Sequence, residues 1–344
     1  MAPKVSICVA CHNSGKTLGD TLESILAQTF RDFTLTVVNN ASQDDTEAVA
    51  LRYAAKDPRV RVKTFDKAVD YAANWTRCIE LAEGEFSCLF HADDIYRPDI
   101  LGKEVAALEG CPEAGAVLTD SDVIDEAGLV LVAQPRLPRE LFERHRGLLN
   151  YQDALKLVIR HASFFMTPSL MIRTDVYKKD LAFFDSTYSA EAGDLDAFLR
   201  LLKKRPILFL PEQLVRNRHS RHSYSYGAAR KQVKPIGLFG VMDHHLADGG
   251  AALISEEDRR DYDYLRLKDQ VRCAVTGILT GDRATAGAMS SHVFSFGALR
   301  LCWPRPGRMA VYGCGLACRA LSFIPLPGFL RAILFKIRFD VLRP

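Results

Sequence analysis

The chain has no uninterrupted apolar run of about 20 residues, the length a membrane-crossing helix needs. The nearest approach, Met309–Leu330, is broken by Arg319, Pro325 and Pro327, so no clean spanning helix is expected. The amino terminus, Met-Ala-Pro-Lys-Val, lacks the basic stretch and apolar core of a secretory leader, and no such signal is expected. Charge bias is also missing: 45 Lys and Arg against 42 Asp and Glu leave a net +3 over 344 residues. No nucleic-acid partner is expected from that balance, because such proteins concentrate a basic face. There is no internal repeat or low-complexity tract. With 48% hydrophobic and 25% charged residues, collagen-like, coiled-coil and disordered chains are excluded. Cysteine is present, but its count of nine is odd, and most of the nine lie in apolar stretches. Buried reduced thiols and a cytoplasmic setting are therefore expected rather than a disulfide scaffold. Cys8 and Cys11 have the spacing of a metal knuckle but no second pair, and read as core.

What is present is an alternation of short β-rich runs and helical patterns. Val5–Ala10 is a continuous apolar run, suited to a strand covered on both faces. Further strands are expected at Thr34–Val38, Val60–Phe65, Phe86–Phe90 and Ala116–Thr119. Helices are expected at Thr17–Gln28, with Thr17 as N-cap, and at Asp45–Ala55, Asp70–Ala82 and Pro98–Leu108. Such units build a mostly parallel sheet flanked by helices, with ligands outside the carboxyl ends of its strands. After residue 120 the pattern loosens into a hairpin near 123–132, helices near 153–160, 174–180 and 194–204, and strands at Ser169–Ile172 and Pro206–Leu210. From about residue 230 it is mainly helical.

Two adjacent acids, Asp93 and Asp94, follow the apolar run Phe86–Phe90. A carboxylate pair at the end of a parallel strand is placed to hold a divalent cation that neutralises a diphosphate; it could equally be a solvated turn or a helix cap. The first loop, Ala10 to Thr17, nearly matches the phosphate-binding G-x-x-x-x-G-K-[ST] pattern. Its first glycine is Ala10, however, and that loop wraps phosphate in conformations a Cβ disfavours.

The order of the pieces carries more than any single one. Val5-Ser-Ile-Cys-Val-Ala-Cys-His-Asn13 precedes Ser24-Ile-Leu-Ala-Gln-Thr-Phe30, then Val37-Val-Asn-Asn-Ala-Ser42, Ala73-Asn-Trp-Thr-Arg77 and Ala82-Glu-Gly-Glu-Phe86. His91-Ala-Asp-Asp-Ile-Tyr96 closes the series. Over about residues 4–225 this resembles the family-2 glycosyltransferases, whose catalytic domain has the α/β GT-A fold. The resemblance implies sugar transfer from a nucleotide-diphosphate donor, with inversion and with Mg²⁺ or Mn²⁺. It places Ala10, His12 and Asn39 at the nucleotide base, Asn13 and Asn74 along the donor site, Asp93 near ribose and metal, and Asp94 on the metal. Two departures stand out: Ala10 and His12 replace the family's usual Pro and Tyr, and Asn39-Asn40 its Asp pair.

Inversion needs a base that deprotonates the attacking hydroxyl opposite the leaving group. The resemblance puts Asp194 there, within Ala192-Gly-Asp-Leu-Asp196, with Gly193 where Glu is common. Asp194 could instead be a plain N-cap, and Glu191 is its nearest competitor. Arg216–Ser223 resembles the family's basic loop after the last strand, closing over the diphosphate through Arg218 and either His219 or His222. Asp120 and Asp122 could face donor or acceptor or merely cap, Trp75 reads as core, and His161 as structural. The alternatives outside this reading are a nucleotidyltransferase and a catalytically decayed donor-binding protein.

Residues 1–228 are thus expected to form the catalytic domain and 229–344 a helical appendage. The last 44 residues, 301–344, carry seven basic side chains and one acidic, interleaved with apolar ones. A basic amphipathic tail of this kind fits peripheral contact with an anionic leaflet, which would make a lipid-linked saccharide acceptor a natural partner beside simple saccharides.

Overall fold

A computed structural model describes residues 2–132, 136–185, 187–188, 191–219, 233–324, 327–329 and 331. The chain divides into two compact units, Met1–His219 and Ser220–Pro344.

The first unit is built on one sheet. Its strands are β1 (Val5–Cys11), β2 (Phe33–Asn40), β3 (Val60–Phe65), β4 (Phe86–His91), β5 (Ile95–Tyr96), β6 (Ala116–Ile124), β7 (Val130–Val132), β8 (Leu148–Leu149), β9 (Leu170–Arg173) and β10 (Ile207–Arg218). The spatial order is β3-β2-β1-β4-β9-β6-β10-β5, with β7 on β6 and β8 on β10. β3, β2, β1 and β4 run parallel; β9 is antiparallel to β4 and β6; β10 is parallel to β6. β1 is buried on both faces, as its unbroken apolar run requires. Because β9 runs against its neighbours, its amino end, with the turn Thr167–Ser169 before it, lies at the same sheet edge as the carboxyl ends of β1, β4, β6 and β10.

Helices α1 (Leu18–Leu26), α2 (Thr46–Ala54), α3 (Tyr71–Leu81) and α4 (Ile100–Gly110) follow the first strands, then α5 (Arg139–Glu143), α6 (Tyr151–His161) and α7 (Gly193–Leu202). Ile7, Val9, Leu22, Ile25, Leu35, Val37, Phe86, Phe90, Leu101 and Val105 meet in one buried cluster between the sheet and these helices. Each such side chain contributes about 1.5–3 kcal/mol on leaving water.

Three expectations are corrected. Thr17 makes no side-chain cap; its hydroxyl donates instead to the Ala92 carbonyl, just past β4, at 2.9 Å. Arg216–Arg218 are strand rather than loop, because β10 recovers its pairing with β6 after bulges between Leu210 and Val215. β5, β8 and α5, too short to show a period, appear between the expected elements.

In the second unit, Ser255 and Asp258 form a capping box before the helix Glu256–Thr280, and Gly281 ends it at φ +87°. Leu267, Val271, Val293, Ala298 and Cys302 pack together with Met309, Val311 and Leu316 of the helix Pro306–Leu321. A Cβ on Gly315 would sit 2.7 Å from Val293, so glycine allows this close approach. No described helix is long and apolar enough to cross a membrane. The last part of the basic tail, 332–344, lies outside the described residues.

Candidate functional site

The carboxyl end of β4 carries His91, Asp93 and Asp94, and one ligand atom from each lies within 4.8 Å of the others. The Asp94 side chain is fully buried. Its Oδ1 accepts the Arg218 backbone N–H at 2.8 Å and Asn217 Nδ2 at 3.1 Å, while Thr21 of α1 donates to its carbonyl at 2.8 Å. Burial, and then the neighbouring Asp93 charge, push its carboxyl up to about 8. A carboxylate so placed gains strongly from a cation beside it. His91 Nδ1 is 3.8 Å from Asp94 Oδ2. Burial lowers the His91 pKa, while Asp93 and Asp194 pull it back up. The neutral imidazole this favours has a lone pair to offer. The Nε2 atom of His91 is buried without a partner among the described residues. Two carboxylates and an imidazole form a donor set suited to a hard or borderline divalent ion, so the residues present fit Mg²⁺ or Mn²⁺.

Trp75 of α3, expected in the core, instead stacks on the His91 ring, with centroids 5.4 Å apart and planes 26° off parallel. Tyr71 and Phe184 meet Trp75 edge-on at 5.1 Å each, which fixes the indole.

Asp194 sits in the first turn of α7, and its Oδ2 accepts the Thr167 hydroxyl at 3.0 Å. Burial raises its carboxyl, opposed first by that hydrogen bond, then by the Leu195 N–H and His91. His91 thus stands in the electrostatic field of both Asp93 and Asp194. Gly193 has a steric reason: a Cβ there would lie 2.6 Å from the Asp185 carbonyl and 2.8 Å from the Tyr71 hydroxyl. The Gly193 N–H also donates to that hydroxyl at 3.2 Å.

Arg218 is placed differently from the loop cation the sequence implied. Only 5% exposed, its guanidinium donates to the Asp93 carbonyl at 2.9 Å, the Glu126 carbonyl at 2.7 Å and the Asp20 carboxylate at 3.2 Å. It braces the Asp93-Asp94 loop. His219 follows β10, still partly open to solvent, with its N–H on the Ile124 carbonyl; partial desolvation, then Arg136, lowers its pKa, with Asp93 opposing. His222 lies outside the described residues.

The remaining predicted positions gather at the ends of β1 and β2. Ala10 is in register with Val38 on one side and His91 on the other. His12 Nδ1 donates to the Asn40 carbonyl at 2.7 Å, a tautomer fixed because a carbonyl only accepts, and Nε2 takes Asn13 Nδ2 at 3.2 Å. Asn39 is 1% exposed; Ser42 N–H fills its Oδ1, while its Nδ2 lacks a described partner, as does Asn74 Oδ1 on α3. The phosphate-loop alternative fails here. The N–H groups of Asn13, Ser14 and Gly15 are consumed by Ser42 Oγ, Thr46 Oγ1 and the Asp44 carboxylate at 2.7–2.9 Å. Asp120 and Asp122 are internal ties: Asp120 accepts the Ser121, Arg136 and Leu137 N–H groups, and Asp122 pairs with Arg97 at 2.9 Å.

Sequence reasoning passed over His91 and Trp75. The spacing His91-x-Asp93-Asp94 was a signal for the first; nothing in the helical pattern singled out the second.

A model of glycosyl transferase family 2 matches residues 6–179. The chain is 33% identical over 128 residues to EpsE of Bacillus subtilis, named as a glycosyltransferase, covering 37% of this chain and 46% of EpsE. It is 26% identical over 157 residues to TuaG of the same organism, named for teichuronic acid biosynthesis, covering 46% and 59%. The chain thus spans only about half the length of these curated relatives. Among solved structures, S. aureus TarS 1–349 with UDP-GlcNAc superposes with TM-score 0.51 at 16% identity, over 93% of this chain and 90% of that one. The mannosyltransferase PcManGT from Pyrobaculum calidifontis, with GDP-Man and Mn²⁺, gives the same score and identity over 99% and 88%. These likenesses establish the fold, which is of the GT-A type.

Proposed function

The chain belongs to glycosyltransferase family 2, and on that premise we propose that it moves a sugar, with inversion and with a divalent ion, from a nucleotide-diphosphate donor to a hydroxyl of a saccharide or lipid-linked saccharide, in the building of cell-surface polysaccharide. The observation that carries this reading is the convergence, at one sheet edge, of the His91-Asp93-Asp94 cluster and a half-buried carboxylate, Asp194.

Asp94 would hold Mg²⁺ or Mn²⁺, with Asp93 serving ribose and metal and His91 lending an imidazole. An ion bound there would neutralise charge on the diphosphate. Asp194, raised by burial and oriented by Thr167, takes the proton of the acceptor hydroxyl as it attacks the anomeric carbon from the opposite face. Ala10, His12, Asn13, Asn39 and Asn74 line the donor. The unpartnered Asn39 Nδ2 and Asn74 Oδ1 support this, since buried polar atoms rarely stay unpaired. His219 and His222 serve the diphosphate, and Arg218 positions the metal loop rather than touching donor. Residues 1–228 act as the catalytic domain. Residues 229–344 rest on the cytoplasmic face of an anionic membrane, a role supported by the exposed Phe294, Phe296 and Trp303.

The test is release of nucleoside diphosphate from UDP-GlcNAc, GDP-Man and related donors with and without Mn²⁺. Activity that needs the ion and is lost in Asp94→Ala and Asp194→Asn supports the proposal; metal-independent activity surviving both substitutions defeats it.

A further inference from the structure

A cavity of about 220 Å³ in the first unit has been given no role so far. Its wall includes Asp120, Arg136, His161, Ser163, Phe164 and Met166. We infer that it receives the terminal pyranose ring of the acceptor, and that Arg136 pairs with an anionic substituent on that ring; this rests on the assignment of Asp194 as the base.

Position is the first argument. Met166 lines the cavity, and the next residue, Thr167, donates to Asp194 Oδ2 at 3.0 Å. A sugar held there has its hydroxyls beside the carboxylate that must receive a proton. Arg136 also lines the cavity, and its charge acts on His219 at the end of β10. The cavity thus adjoins the residue that orients the base, on the side from which an acceptor can approach it.

Size and lining are the second. Drug-sized ligands occupy about 300–1,000 Å³, so this volume suits one ring rather than an oligosaccharide. Phe164, Phe165 and Phe198 form a stack of near-parallel rings, 4.8 and 4.9 Å between neighbouring centroids, and its outer member Phe164 reaches the cavity. Such a rigid apolar platform suits the C–H face of a pyranose, with the Ser163 hydroxyl and His161 at hand for ring hydroxyls.

Charge is the third. Asp120 is 1% exposed, and both its oxygens accept backbone N–H groups, which fixes the turn bearing Arg136. The Arg136 side chain is exposed and has no carboxylate partner among the described residues. An unpaired guanidinium beside an aromatic wall selects a carboxylate or phosphate, which it can grip bidentately. That anion could be a uronate carboxyl or the phosphate on the anomeric carbon of a lipid-linked sugar; the chemistry recognised is the same.

The experiment is saturation-transfer NMR on the full chain with methyl β-D-glucuronide, α-D-glucose 1-phosphate and neutral methyl β-D-glucoside. One or both anionic probes should bind about tenfold or more tightly than the neutral one. Arg136→Gln should erase that difference while leaving the affinity for UDP with Mn²⁺ within twofold. Phe164→Leu, which keeps most of the volume, should weaken all three probes. A response to glucuronide alone identifies a uronate, and to glucose 1-phosphate alone a glycosyl phosphate. Equal binding of charged and neutral probes, or a preference that survives Arg136→Gln, overturns the inference. Transfer activity unchanged in Asp194→Asn would instead overturn the base assignment and leave the sugar-binding results standing.

Discussion

Replacing Arg218 with lysine separates two tasks that a cation in this segment could have. The guanidinium spans the Asp93 carbonyl, the Glu126 carbonyl and the Asp20 carboxylate, three acceptors on separate parts of the chain. An ammonium is one point on a flexible stem and cannot span them. Hydrogen bonds to a charged donor contribute about 1.5–3 kcal/mol each, so losing two of the three is a substantial loosening of the loop. The backbone N–H of Arg218 still holds Asp94 Oδ1, so Asp94 itself stays in place. Losing a support behind a metal ligand typically costs 10–100-fold in metal affinity. We therefore expect Arg218→Lys to weaken Mn²⁺ binding by about that factor with no nucleotide present, read from the EPR signal of free Mn²⁺. At saturating Mn²⁺, UDP affinity should return to within a few fold of the parent. Normal Mn²⁺ binding together with lost affinity for the diphosphate would refute the brace and make Arg218 a direct donor contact.

Glu104 is fully buried on α4, both carboxylate oxygens lack a described partner, and burial alone drives its pKa well above 4.5. Because its folded pKa is raised, its contribution to stability is complete below pH 4.5 and is lost as pH rises toward the folded value. Glu104→Gln, which removes this titration, should match the parent near pH 4 and become progressively more stable than it as pH rises, measured by urea unfolding. Gly193→Ala pushes a Cβ against the Asp185 carbonyl, and should cost about 1–3 kcal/mol in thermal unfolding and lower kcat more than donor affinity, since Asp194 moves with its neighbour. Asp194 must be ionised to act as base, so kcat/KM should be full at high pH and fall as pH drops through a pKa above the ordinary 3.8, a limb absent from the residual activity of Asp194→Asn.

Much of the scaffold was legible because its pieces are locally consistent. β1 and β4 are largely apolar runs of strand length, β2 and β3 alternate apolar with polar residues, and helix-period segments follow them. The order of motifs along the chain pointed to Asp93-Asp94 and Asp194, which the fold brings to one edge of the sheet. Illegible were features that exist only through long-range pairing. Arg216–Arg218 look like a solvated basic loop until β10 is laid beside β6. Thr17 reads as a helix cap, yet its hydroxyl holds the Ala92 carbonyl, as that of Thr21 holds the Asp94 carbonyl, more than seventy residues away. Trp75 has the position of a core residue on α3, and only the fold brings β4 under it so that His91 becomes its partner. Gly193 looked like a loss relative to the family's glutamate; the Asp185 carbonyl and the Tyr71 hydroxyl leave no space for any side chain there.

The most direct test is a crystal of the protein grown with Mn²⁺ and UDP or GDP, with the ion located by its anomalous scattering. The account predicts a single strong peak bonded to Asp94, next to His91 and Asp93, with the diphosphate on its far side facing Asp194. A nucleotide bound with its ion elsewhere, or with no ion touching Asp94, would contradict it.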